Sequence, residues 1–178
     1  MIYGFLGSIN FDTLSNLAMD NDNINYAALL GLVLIIVGLC FKIAAVPFHM
    51  WSPDVYEGAP TPVAVFIASA PKVAAIAIFI RIVVDVFAGF ADAWQQIVIF
   101  MAVASMLVGA LGAIKQNNIK RLLAYSSIGH MGYMLMALVV ADDQAIKAII
   151  IYITIYVTAV IGAFAFIMLI KQSYHSAD

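Results

Sequence analysis

Residues 26–51, 61–87, 94–115, 120–141 and 145–170 form five apolar runs, and their length fixes the solvent in which this chain folds. An α-helix needs about 20 apolar residues to cross about 30 Å of hydrocarbon, and every run reaches that length. Inside hydrocarbon each backbone N–H and C=O must be satisfied by the protein itself, so only helices and closed barrels can span. The stretch Tyr152-Ile153-Thr154-Ile155-Tyr156-Val157-Thr158 alternates like a strand. The run around it is far too long for a barrel strand of about 10 residues. The sequence therefore reads as an all-α polytopic membrane protein with about five transmembrane helices. Composition agrees, with 65% hydrophobic and 10% charged residues, against about 45–50% and about 25% in soluble domains.

A net charge of −2 without any long charged run gives no electrostatic reason to expect nucleic acid as a partner. The single cysteine, Cys40, lies in an apolar run and has no second thiol in the chain for a disulfide or a cysteine-built metal site. Its expected role is packing. The N-terminus lacks the basic segment and small-residue cleavage site of a signal peptide, and the ends read as those of a fragment. Polar connectors are expected at residues 52–60, 89–93, 115–119 and 142–144, with the acidic, asparagine-rich residues 12–25 as the longest loop. Lys115, Lys120, Arg121 and Lys171 fall on one side together with the 52–60 connector, while the opposite loops carry no Lys or Arg. The basic side is expected to face the cytoplasm, or the matrix in an organelle. Trp51 and Trp94 sit at span boundaries, where amphipathic rings prefer to lie.

Two lysines stand where hydrocarbon penalises them, each near a proline. Lys42 lies five residues before Pro47, and Lys72 directly follows Pro71. A charge in a bilayer costs at least about 2.5 kcal/mol, so such residues face a protein interior or a wet cavity and mark ion or proton paths. Pro47 has no amide hydrogen and its ring opposes the carbonyl of Ile43, so the first span should kink or open near residues 42–47. Were that helix continuous, Lys42, Val46 and His49 would share one face and form a two-step relay. The plainer alternative is a snorkelling Lys42 and a His49 bonded at the membrane interface. Lys72 lies about 12 residues into its run, some 18 Å along the helix axis, and has no route to water. Burial disfavours the charged form of an amine, which lets such a group exchange a proton near neutral pH. Pro71 should free the carbonyl of Ile67 beside it. A lysine locked to a carboxylate elsewhere is the competing reading, and no span here carries a midplane Asp or Glu.

His130 falls halfway along the fourth span, on a stripe with Ser126, Gly129 and Tyr133. A lone histidine is often a packing residue, but hydroxyls at this depth favour a proton carrier. Arg81 and Asp85 are four apart and can pair, Lys120 and Arg121 anchor the fourth span, and Gly109 and Gly112 permit close helix contact.

From Phe41-Lys42-Ile43-Ala44-Ala45-Val46-Pro47-Phe48-His49-Met50-Trp51 through Ser52-Pro53-Asp54-Val55-Tyr56-Glu57-Gly58-Ala59-Pro60, the chain resembles the subunit N family of the proton-pumping NADH-quinone oxidoreductases, respiratory complex I. Residues 69–75 and 118–133 extend the resemblance, which covers nearly all of 26–170. Related subunits of sodium/proton antiporters typically read Leu-Pro-Asp-Ala where this chain has Ser52-Pro53-Asp54-Val55, which favours the subunit N family. The resemblance implies two inverted five-helix repeats, the end of one at about 1–88 and the start of the next at about 94–171. It also implies a proton relay in which Lys42 falls at a broken-helix lysine, Lys72 at a central lysine, and His49 and His130 near that axis. A glutamate partner for Lys42 and a second-repeat lysine would lie outside this chain. NADH, FMN, iron–sulfur clusters and quinone would belong to other subunits, with no cofactor here. The partners implied are the other membrane-arm subunits, the lipid bilayer, protons and, indirectly, quinone. The location implied is a bacterial plasma membrane, or an inner mitochondrial or thylakoid membrane if organellar. Two other functions fit the same residues: a sodium/proton antiporter subunit, and a scaffold with inert lysines.

Overall fold

The computed structural model of the protein describes residues 2–19 and 26–175, and the described residues are helical, joined by turns. In chain order the α-helices are α1 (Ile2–Leu6), α2 (Phe11–Met19), α3 (Tyr26–Ile43), α4 (Trp51–Gly58), α5 (Thr61–Ala68), α6 (Ala70–Ile80), α7 (Ala91–Ile114), α8 (Ile119–Val140) and α9 (Asp143–His175). A π-helical turn, Arg81–Val86, prolongs α6, and a short 3-10 turn leads into α7. Among the described residues, four helical segments are long and apolar enough to cross a membrane: Thr61–Val86, Ala88–Ile114, Ile119–Val140 and Asp143–Ser173. The strand-like alternation at 152–158 lies inside α9, where the long apolar run decides the outcome.

The first expected span is the exception. Its helix stops at Ile43 rather than continuing to residue 51. Ala44 takes a left-handed conformation at φ 60°, and two bonds close the end: Ala44 N–H to Phe41 O at 3.1 Å and Ala45 N–H to Cys40 O at 2.8 Å. This is a Schellman stop, a position that glycine usually fills. Alanine rather than glycine takes this position, inside the stretch 42–47 where Pro47 predicts a kink or opening, so the expected break is borne out and local packing sets its residue. A cis Val46–Pro47 bond follows, and the chain turns into α4. Two side chains secure the break: Trp51 donates its indole N–H to Phe41 O at 3.0 Å, and Ser105 of α7 accepts Val46 N–H at 2.9 Å.

Other expectations shift for local reasons. Residues 52–60 are mostly helix rather than open connector. Residues 12–19 of the expected long loop are also helix, within α2, and its remainder, 20–25, lies outside the described residues. Trp94 sits at a helix start as expected, but it is 1% exposed, with its indole N–H on Phe87 O, and so faces protein rather than the bilayer interface. Arg81 does not pair with Asp85; its guanidinium lies over the ring of Phe11, 5.6 Å from the centroid, a cation–π contact.

The main core joins Leu32, Ile36 and Cys40 of α3 to Phe79 of α6, Val98 and Met101 of α7, and Met131 and Leu135 of α8. Cys40 packs there as expected, its Sγ 3.5 Å from Met101 Sδ. Helices α7 and α8 meet at backbone distance. A Cβ on Gly109 would stand 2.6 Å from the Gly129 nitrogen, and one on Gly132 would stand 2.8 Å from Ala102 O. Glycine is thus required on both sides of the contact.

Candidate proton-transfer site

Lys72 is 1% exposed, on the third residue of α6. The helix preceding it breaks at Ser69, whose φ of −112° and ψ of −83° separate α5 from α6. Lys72 N–H bonds to Ser69 O at 3.1 Å instead of reaching one residue further back, so Ala68 O is left available to a side chain. The break at Ser69 thus frees Ala68 O beside Ile67 O, to which Pro71 has no N–H to give.

Side chains from three helices complete the surroundings of the amine. Lys72 Nζ donates to Ser127 Oγ of α8. Ser127 Oγ and Tyr156 Oη of α9 share a 2.6 Å hydrogen bond, and Tyr156 Oη donates to Ala68 O at 3.2 Å. A phenol has one proton to give, so with Ala68 O taking it, Ser127 is the donor to Tyr156. The line therefore runs Lys72, Ser127, Tyr156, Ala68 O, with both hydroxyl protons used. On another side the ammonium stands 5.6 Å from the ring centroid of Tyr56 of α4, and the ring face attracts a cation. Lys72 forms no ion pair with a carboxylate among the described residues.

His130 of α8 pairs through Nδ1 with Tyr152 Oη of α9 at 2.7 Å, and its ring centroid is 5.3 Å from that of Tyr156. Ser127, His130, Tyr152 and Tyr156 all line one cavity of about 290 Å³ together with Ser126. Lys72's acceptor and His130 thus share a mostly apolar space, with these polar groups set into its wall, in the membrane-spanning part of the chain. Sequence reasoning singled out Lys72 and His130 but missed Ser127, Tyr152, Tyr156 and Tyr56. Tyr152 and Tyr156 are four apart, which puts two hydroxyls on one helical stripe, a signal hidden by reading the stretch for strand alternation.

The other two candidates stand apart from this cluster. Lys42 is exposed in the last turn of α3, where helix-end carbonyls favour a cation. The face expected to join Lys42, Val46 and His49 does not form, because α3 ends between Lys42 and His49. His49 is half-buried after the break, and its Nδ1 is buried without a hydrogen-bond partner.

At the N-terminal end of α8, Arg121 bridges Asp54 and Glu57 of α4 at 2.8 Å each, Lys120 donates to Ala59 O at 2.9 Å, and Asn118 donates to Glu57 at 2.9 Å. Asn118 Oδ1 also caps α8 by accepting Lys120 N–H. The hydrogen bond from Arg121 holds the Glu57 carboxyl below its ordinary range. Among the described residues, no three His, Cys, Asp or Glu side chains gather closely enough to hold a metal ion.

A family model described as NADH:quinone oxidoreductase/Mrp antiporter, TM, matches residues 1–178. The chain belongs to this family. Among members of the NADH:quinone oxidoreductase/Mrp antiporter family, NADH-quinone oxidoreductase subunit N of Bartonella bacilliformis is 53% identical, covering 94% of this chain and 36% of its own length. The Rhodospirillum rubrum protein of the same name is 48% identical, covering 100% of this chain and 37% of its own length. The chain thus spans about a third of the length of these relatives. Among solved structures, respiratory complex I from Thermus thermophilus with bound aureothin superimposes with a TM-score of 0.73 at 40% identity, covering 92% of this chain and 34% of that one. The Mrp complex from a Dietzia species gives 0.79 at 25% identity, covering 92% and 29%. The family fold is therefore shared between redox and antiporter complexes, while identity is higher toward the former.

Proposed function

We propose that this chain is a proton-translocating membrane subunit of an NADH:quinone oxidoreductase, in which electron transfer elsewhere in the complex drives protons through buried amines, imidazoles and hydroxyls. The observation that carries the reading is Lys72: a membrane-embedded amine that ends on a line of hydroxyls rather than on a carboxylate. A permanently fixed charge would be matched by a counter-ion. Hydroxyls both give and take protons, so they can serve either form of the amine. His130 with Tyr152, across the shared cavity, supplies a further carrier, and Lys42 and His49 at the α3 break are assigned to the same relay. The names and identities of the relatives support the redox complex over the antiporter. NADH, FMN, iron–sulfur clusters and quinone are assigned to other subunits; Cys40, the single cysteine and turned to Met101, does not fit a cluster ligand.

The reading places the chain in a bacterial plasma membrane beside other membrane-arm subunits, its basic side to the cytoplasm, with the junction between two repeats near residues 88–94. The test is proton uptake against NADH oxidation in inverted vesicles carrying the complete complex, with Lys72 or Lys72→Ala. Loss of both activities in an assembled complex is the expected result; full retention of both would make the lysine structural and leave a scaffold. The Mrp-like superposition favours a second reading, sodium/proton exchange, which predicts sodium-dependent proton movement without NADH.

A further inference from the structure

Two cavities meet at the far end of α6 from Lys72. One, of about 290 Å³, is polar: Asp12 and Ser15 of α2 and Arg81 and Asp85 of the π-helical turn line it, beside the ring of Phe11. The other, of about 470 Å³, is an apolar groove in which Val73, Ile76 and Ile80 of α6 face Ile149, Ile150 and Ile153 of α9. Arg81 and Asp85 line both, so the two are continuous at these side chains. The groove exists because α9 packs on α5 and α8 and meets α6 only sparsely. From Val73 to Arg81 it runs about 12 Å along the helix axis, close to the about 15 Å of hydrocarbon in one leaflet.

The polar end has a defined charge pattern. Arg81 lays its guanidinium over the Phe11 ring and forms no ion pair or hydrogen bond among the described residues. The Asp12 and Asp85 carboxylates likewise take no partner among them. An arginine resting on an aromatic face keeps its N–H fork for an acceptor, and that fork matches phosphate. Two carboxylates beside it repel further negative charge and attract an ammonium. One cation and two anions around a single cavity, opening onto a groove of leaflet length, are complementary to a zwitterion with an apolar tail. A protein helix laid in the groove would satisfy the isoleucines but would bring no paired phosphate and ammonium to the polar end.

We infer that this composite cavity binds a phospholipid with a primary ammonium headgroup, a phosphatidylethanolamine, its phosphate on Arg81, its ammonium between Asp12 and Asp85, and one acyl chain along α6 and α9. The chain then ends at Val73, next to Lys72, and closes that flank of α6 to water. The readout is binding, so the site stands or falls apart from the proton-translocating reading.

The test uses the assembled complex in nanodiscs of phosphatidylglycerol that carry a trace of either phosphatidylethanolamine or phosphatidylglycerol, each with the same photoreactive diazirine at the end of one acyl chain. After illumination, labelled positions are mapped by mass spectrometry. Residues 73–80 and 146–153 should be labelled about tenfold more by the ethanolamine lipid, the worth of one charge-assisted hydrogen bond. Exposed apolar side chains elsewhere, such as Leu107 and Phe166, should be labelled equally by both. Arg81→Gln should lower groove labelling by the ethanolamine lipid about tenfold, and Asp85→Asn should bring the two lipids close to level. Lys147→Gln removes an exposed charge of α9 that lines neither cavity and should leave the preference intact. Equal labelling of the groove by the two lipids in the unaltered complex overturns the inference and leaves an ordinary boundary lipid. An unlabelled groove overturns it as well and gives the groove to a protein helix. So does unchanged labelling in Arg81→Gln, or a preference lost in Lys147→Gln. If a variant fails to assemble, the headgroup comparison in the unaltered complex decides alone.

Discussion

Ser127 is the residue on which the buried amine depends, because it accepts from Lys72 and donates onward to Tyr156. Ser127→Ala leaves an ammonium and a phenol each short of a partner, a loss of about 1–3 kcal/mol. It should lower the thermal midpoint of the purified complex, with Ser127→Thr recovering most of it; an unchanged midpoint would mean the amine finds another acceptor at no cost. Nothing near Lys72 in the sequence named this partner, which comes from 55 residues away. Lys72 and His130 were legible because a basic group inside an apolar run is conspicuous, whereas serines and tyrosines are common in membrane helices and become a site only through packing. At the rim, Glu57 illustrates the opposite regime. Its carboxyl is held below the ordinary range by Arg121, so its contribution is complete above the usual carboxylate value and is lost as pH falls through the lowered one. Thermal melts across acidic pH should show this loss in the parent complex and less of it in Glu57→Gln; identical curves would assign it to other groups.

At the scale of elements, the four long spans follow the sequence to within a few residues because length and hydropathy alone define them. The break after α3 falls in the 42–47 stretch that Pro47 marks, but its exact residue was not legible, since the stop is built from an alanine at positive φ and from bonds to Trp51 and Ser105, neither of which a local pattern encodes. Trp51→Phe, which keeps an aromatic ring and deletes the indole donor, should loosen this end and speed proteolysis or hydrogen exchange around residues 41–46 while leaving α7 and α8 protected; equal exchange in both proteins would show that Ser105 suffices. The glycine contact between α7 and α8 gives a sharper element-scale prediction. Gly109→Ala drives a methyl into the Gly129 backbone and should destabilise by about 1–3 kcal/mol. Gly38→Ala, which meets nothing within 4 Å, should be neutral or slightly stabilising in the same thermal assay. Equal effects at the two sites would show that the helices can separate freely.

For the molecule as a whole, α7 and α8 reach almost every feature of the site. Ser105 of α7 holds the backbone at the α3 break, Ser127 of α8 receives Lys72, His130 of α8 lines the shared cavity, and Arg121 of α8 fixes α4. None of these attachments was legible beforehand, because each joins residues far apart in sequence. The backbone contact at Gly109 and Gly129 leaves no room for these two helices to slide past each other. They make a stator. The interrupted helices, α3 with α4 and α5 with α6, are moored to this post through the hydroxyls of Ser105 and Ser127.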